Sequence, residues 1–177
     1  MASTDRGYDL HELLSALQKC IRRGLEYEAL HFALELEAFG KSGPIILWNR
    51  LKIIACEDIG PANPLMPLLI DLLLKQYQNE KAKLGDLSDH LFLANAIVCL
   101  CRSEKSRITD DLLTIISCER KNNIRLSIPD FALDKHTKRG AMMSRGIEQF
   151  FSEGNKLEKE TLTNPYTEKA KELLSKQ

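Results

Sequence analysis

The chain predicts an all-α fold, an array or bundle of about six helices followed by an irregular basic segment. Three observations predict it. Apolar residues recur at three- and four-residue spacing through most of the first 120 positions, the mark of helices with one buried face. Glycine and proline interrupt those stretches at helix-length intervals. No stretch alternates apolar and polar residues strictly enough to form a strand. With 177 residues, 44% of them apolar, the chain can bury one good core, as one domain with a looser end.

The first helix has Asp9 as its cap, Glu12 at the capping-box position, an apolar series Leu10, Leu13, Leu14, Leu17 and Ile21, and a stop at Gly24. Residues 25–39 repeat the pattern through Leu30, Ala33, Leu34 and Ala38 until Gly40. Pro44 suits the first turn of a third helix, which reads as apolar all round and ends in Glu57 and Asp58. A helix C-terminus carries partial negative charge, so acids there need a base or a following helix N-terminus to hold them. Asn63 and Pro64 then read as the N-cap and first residue of a fourth helix running to about Tyr77, with Pro67 in its first turn. A polar linker, NEKAKLGD, leads to a fifth helix from about Ser88 to Cys101, and Thr109 or Asp110 opens a sixth that ends near Lys121. Residues 122–130 form a connector. Residues 131–151 are weakly helical and mix bases with Gly140 and Gly146, each of which costs about 1 kcal/mol inside a helix and so marks a break or a close backbone contact. The final stretch is charged and poor in core residues, with TEKAKELLSK as a peripheral or fraying helix. The expected organisation is a helical core over 1–122, an irregular basic and glycine segment packed on it over 123–154, and a charged tail over 155–177.

Composition narrows the chemistry. Lys+Arg and Asp+Glu each total 25, so no global field directs the chain to nucleic acid or membrane, and any electrostatic site must be local. The N-terminus lacks a signal-like apolar run and no apolar run is long enough to span a bilayer, so a cytoplasmic protein is expected. Five cysteines without a CxxC read as reduced, buried small hydrophobes. Cys99 and Cys101 fall on nearly opposite faces of one helix and cannot share a metal. The four histidines have no ligand spacing, so neither metal nor cofactor is expected. Gly40-Lys41-Ser42 imitates the end of a phosphate-binding loop, but Glu35 stands where that loop needs a glycine, and a helix precedes it where a strand is required.

Two local features remain. At 100° per residue, Arg50 and Glu57 lie nearly in line two turns apart, while Asp58 shares the side of Leu47, Leu51 and Ile54. Asp58 is therefore expected to point into apolar territory, where it needs a partner: Arg50, the amides at Asn63-Pro64, or a base from elsewhere. The expected job of the two acids is to lock the turn between helices three and four. The second feature is the crowd of Asp134, His136, Thr137, Lys138, Arg139 and Arg145 around two glycines. It reads as a solvated face with Asp134 as an N-cap, or as a site for an anion or a partner.

The run from Leu13 to Gly40, followed by ILWNRLKIIACEDIGPANP, resembles the C-terminal domain of the MgsA/RarA-type AAA+ ATPases, the replication-associated recombination protein A family. The family pattern R-L-x-x-x-A-x-E-D-I-G-x-A-x-P meets Arg50, Leu51, Ala55, Glu57, Asp58, Ile59, Gly60, Ala62 and Pro64 position by position. Thr137, Lys138 and Gly146 resemble a later family segment, and the likeness extends over roughly residues 8 to 151. The resemblance implies a collar domain like that of clamp loaders, homotetramer assembly, and work beside an ATP-hydrolysing module at stalled forks and single-stranded DNA ends. This sequence carries no complete phosphate loop, no acidic Walker B strand and no arginine-finger context, so the ATPase activity does not carry over. Its first residues and divergent tail favour a stand-alone relative over an excised domain.

The expected function is a non-catalytic oligomerisation and interaction module, a homodimer or homotetramer serving DNA replication, recombination and repair. An AAA+ ATPase or replication protein is its expected partner, and nucleic acid is a weaker candidate. The alternative is a ligand-binding or enzymatic helical domain that takes a phosphate-bearing ligand or nucleic acid through residues 134–145.

Overall fold

The computed structural model describes Thr4 and residues 6–81 and 88–176, without the side chains of residues 80, 81, 88 and 89. Among the described residues there are helices and no strand, so the fold is all-α. The chain forms two compact units, Met1–Asn122 and Asn123–Gln177.

The first unit contains α1 (Leu10–Arg23), α2 (Glu26–Glu37), α3 (Gly43–Ile54), α4 (Met66–Lys81), α5 (Ser88–Arg102) and α6 (Ile108–Lys121). Asp9 caps α1 by accepting from the amides of His11 and Glu12 at 2.8 and 3.1 Å, and Gly24 closes it in the left-handed conformation. Leu13, Leu17 and Ile21 of that helix are buried. On α2 the buried face is Ala29, Ala33 and Leu36; of the expected stripe Ala33 is buried and Leu30 partly so, while Leu34 and Ala38 are exposed. The small alanines let α1, α3 and α5, all of which touch α2, approach closely. Glu35, buried about a third of a turn away from that face, is paired with Arg6 at 2.9 Å.

Central α3 touches α1, α2 and α4 and buries Leu47, Trp48, Leu51 and Ile54, but Ile45 and Ile53 are exposed, so the helix is not buried all round. Trp48 packs on Tyr77 of α4 with ring centroids 5.3 Å apart. The fourth helix begins later than its proline signals suggest. Asn63 is extended, its side-chain amide donating to Ser103 Oγ at 3.2 Å and its carbonyl accepting from Met66, so Pro67 rather than Pro64 sits in the first turn. It also continues to Lys81, taking in the start of the expected linker, whose remainder lies outside the described residues. The sixth helix starts at Ile108, just ahead of the expected caps.

The thiols divide. Cys101 is buried, Cys20 and Cys99 are partly buried, and Cys56 and Cys118 are exposed, which corrects the expectation of uniformly buried thiols. Burial pushes the Cys101 thiol up to about 11. No helix among the described residues is long and apolar enough to cross a membrane.

The second unit has little regular structure: a 3₁₀ turn (Asp130–Ala132), α7 (Lys138–Met142), α8 (Ile147–Gln149) running into a π-helical turn (Phe150–Gly154), and α9 (Thr167–Leu174). Leu133, Gly140 and Gln149 are its buried residues among those described.

Candidate functional site

The site grows out of the end of α3. After Ile54 the helix widens into a π-helical turn, Ala55–Ile59, closed by the Gly60 amide on the Ala55 carbonyl five residues back, and a 3₁₀ turn, Gly60–Ala62, follows. Such widened turns occur often at functional sites. They also leave terminal carbonyls unsatisfied, and here Ser106 supplies the donor, its amide reaching the carbonyls of Asp58 at 3.0 Å and Ile59 at 3.2 Å. Gly60 has φ +52°, and a Cβ there would stand 2.7 Å from the Ser106 carbonyl oxygen. Only glycine fits both the conformation and the approach.

Asp58, 1% exposed, is buried as expected and meets polar groups from other elements. Gln18 Nε2 donates to Asp58 Oδ2 and to Glu57 Oε1, both at 2.9 Å. Arg22 Nε donates to Asp58 Oδ1 at 2.6 Å and its Nη2 reaches Glu57 at 3.5 Å. Arg107 Nη1 lies 3.1 Å from both carboxylates, while its Nη2 pairs with Asp110. Arg50 reaches the acids only through an intermediary, donating at 3.0 Å to Gln18 Oε1. The Arg107 guanidinium is held above its ordinary value chiefly by its hydrogen bond to Glu57, with partial burial opposing and Asp58 and Asp110 adding.

Arg22, Arg50 and Arg107 thus face Glu57, Asp58 and Asp110, and the cluster is formally neutral. Both oxygens of Asp58 are engaged, as a buried carboxylate requires. What the arrangement does chemically is join three elements: α1, the end of α3, and the start of α6. Gln18, Arg22 and Arg107 were not among the residues singled out from sequence. The signals for them were nonetheless present. Gln18 borders the apolar stripe of α1, one turn after Leu14. Arg107 is a base at a helix N-terminus, an electrostatic misfit of the same kind as acids at a helix C-terminus, and the two misfits neutralise each other.

The 134–145 segment has its own local order. Asp134 Oδ1 accepts from the His136 amide at 3.0 Å in a turn, and Thr137, rather than Asp134, caps α7, its Oγ1 accepting from Gly140 N at 3.0 Å and donating to the Asp134 carbonyl. A Cβ on Gly140 would fall 1.9 Å from that carbonyl oxygen, so this glycine is the close backbone contact. Arg145 is committed to Asp130, its Nη2 lying 2.7 and 2.8 Å from the two carboxylate oxygens. Among the described residues Lys138 and Arg139 have no ion-pair partner. Asp134 and His136, with Lys135, Ile147, Phe150 and Leu174, line a cavity of about 190 Å³. Among the described residues no group of three or more His, Cys, Asp or Glu could hold a metal ion.

Residues 27–173 match the family model described as MgsA AAA+ ATPase C terminal. The chain belongs to that family. The match covers most of the chain and is to the C-terminal region of MgsA-type ATPases, not to their ATP-hydrolysing module. It includes Arg50, Glu57, Asp58, Gly60 and Pro64, together with Arg107 and the whole 134–145 segment. It begins within α2, so Gln18 and Arg22, the α1 partners of the acids, precede the matched span. No curated protein matches the chain.

Proposed function

We propose that this MgsA-type C-terminal domain is a non-catalytic assembly and interaction module, acting in the cytoplasm with the replication and recombination ATPases to which it is related. The family match carries the reading. The geometry of the acid–arginine cluster supports it: Glu57 and Asp58 are engaged by groups of the same chain, as suits a lock between helices rather than a proton-transferring pair. The module self-associates into a dimer or tetramer and presents its surface to an AAA+ ATPase or replication protein. Light scattering of the intact chain tests this, with an oligomer expected. A monomer at every attainable concentration sinks it.

The competing reading, an anion or nucleic-acid site in residues 134–145, is weakened by the engagement of Arg145 with Asp130 and of Asp134 with the His136 amide. The assembly reading expects Asp134→Ala, His136→Ala and Arg145→Ala to leave oligomer mass and partner binding unchanged. Retention of single-stranded DNA at low salt, lost in those variants, would favour the alternative.

A further inference from the structure

The stretch IRLSI at residues 124–128, read from sequence as part of a connector, carries a pattern that a connector does not need. Ile124, Leu126 and Ile128 are large aliphatics between 55% and 76% exposed, with the exposed Arg125 and Ser127 between them. The stretch runs without helix, turn or bend, from Asn123 in the left-handed conformation to Pro129 in the extended one. Among the described residues nothing donates to or accepts from its backbone amides and carbonyls. In an extended chain successive side chains alternate between two faces, so the three aliphatics share one and Arg125 and Ser127 the other. Isoleucine, β-branched, favours that conformation at both ends, and the following proline keeps Ile128 out of the helical region.

The unpaired backbone says what covers these aliphatics. A groove that took the side chains alone would cut the amides and carbonyls off from water, whereas a neighbouring strand pairs them as it covers the apolar face. The stretch has a common strand length, too short to build a sheet in this chain and long enough to extend one. A second copy could offer the same stretch, but a two-stranded ribbon alone is marginal in water, and this chain has no strand among the described residues to enlarge it. The sheet therefore comes from a partner. An ATP-hydrolysing module has one, because its phosphate loop follows a strand, and an open sheet ends in strands with unpaired edges. We propose that residues 124–128 dock by strand addition on a sheet edge of the ATP-hydrolysing module of an MgsA-type ATPase, with Ile124, Leu126 and Ile128 in apolar pockets beside that edge. This rests on the proposed ATPase partnership and names the segment that carries it. Pro129, which has no amide hydrogen, ends the added strand. The bond from Arg145 to Asp130 anchors the turn just beyond it.

The test titrates the full chain with that module as the probe, the module's fold verified by nucleotide binding, and reads complex formation by calorimetry. Wild type is expected to bind, and Leu126→Ser to raise the dissociation constant about tenfold or more. Leu126 is exposed and outside the helices, so the circular dichroism spectrum of the variant is expected to persist. Amide exchange read by NMR then separates strand addition from side-chain docking. A strand turns the amides of alternate residues to one edge, so in the complex every second amide of residues 124–128 is expected to be protected and the others to exchange freely. Binding that survives Leu126→Ser, or amides that are uniformly protected or uniformly free, overturns the strand addition and leaves the ATPase partnership standing. A module that takes nucleotide and does not bind the wild type overturns both, while the oligomer mass decides self-association separately.

Discussion

Asp58 is the residue on which the first unit's polar architecture turns. Its side chain is fully buried, and its carboxylate oxygens are engaged by Gln18, Arg22 and Arg107 from two other elements. Replacing it by Asn keeps the volume and removes the charge, which leaves Arg22 and Arg107 only Glu57 to share. Both are about one-third exposed and can turn to water, so the expected loss is about 3 kcal/mol, the low end of the range for breaking a buried pair. Urea unfolding measures it, and a loss under about 0.5 kcal/mol would mean that the pair behaves like a surface ion pair. Gly60 is the second sensitive position. Gly60→Ala must place a Cβ 2.7 Å from the Ser106 carbonyl oxygen at positive φ, so a loss of about 2–3 kcal/mol is expected from strain and overpacking together. An unchanged urea midpoint would show that the loop ahead of α6 shifts freely, contrary to its hydrogen bonds with Asp58 and Ile59.

At the scale of elements, the Glu26–Arg102 pair ties the start of α2 to the end of α5, with Arg102 Nε 2.6 Å from Glu26 Oε1. The hydrogen bond to Arg102 holds the Glu26 carboxyl below its ordinary value. A depressed carboxylate contributes stability that is fully present above its unfolded value, about 4.3, and is lost as pH falls through the lower folded value. The melting difference between wild type and Arg102→Ala should therefore be constant near neutrality and shrink below about pH 4.3. A difference that grows on acidification would contradict the pairing. The same scale shows what was legible in the sequence. Helix α1 was readable from Asp9 to Gly24 because its cap, stripe and stop are all local. The face of α2 was misjudged at Leu34 because leucine outranks alanine on any hydropathy scale, whereas close helix approach buries Ala29 and leaves Leu34 outside. The start of α4 was misplaced because Asn63 spends its side chain on Ser103, 40 residues away. The acids of the site stood out by sitting at the wrong helix end, but Arg22 and Arg107 lie 36 and 49 residues from Asp58, and pairing over such distances leaves no local periodicity to read.

For the whole molecule, every member of the main hydrophobic cluster lies between Leu13 and Cys101. That span includes α1 to α5, while α6 is joined to it by the acid–arginine cluster and by Ser106. The second unit, from Asn123 onward, buries few side chains of its own, Leu133 and Gln149 among them. Stability that scales with apolar burial must therefore reside in the first unit. A fragment comprising residues 1–122 is expected to keep the helical spectrum of α1 to α6 and a single cooperative thermal transition within about 5 °C of that of the full chain. The separate fragment 123–177 is expected to show little helix and no cooperative melt, because a few buried side chains cannot offset the entropy of ordering 55 residues. A fragment 1–122 that fails to fold would mean that the first unit does not hold its own stability.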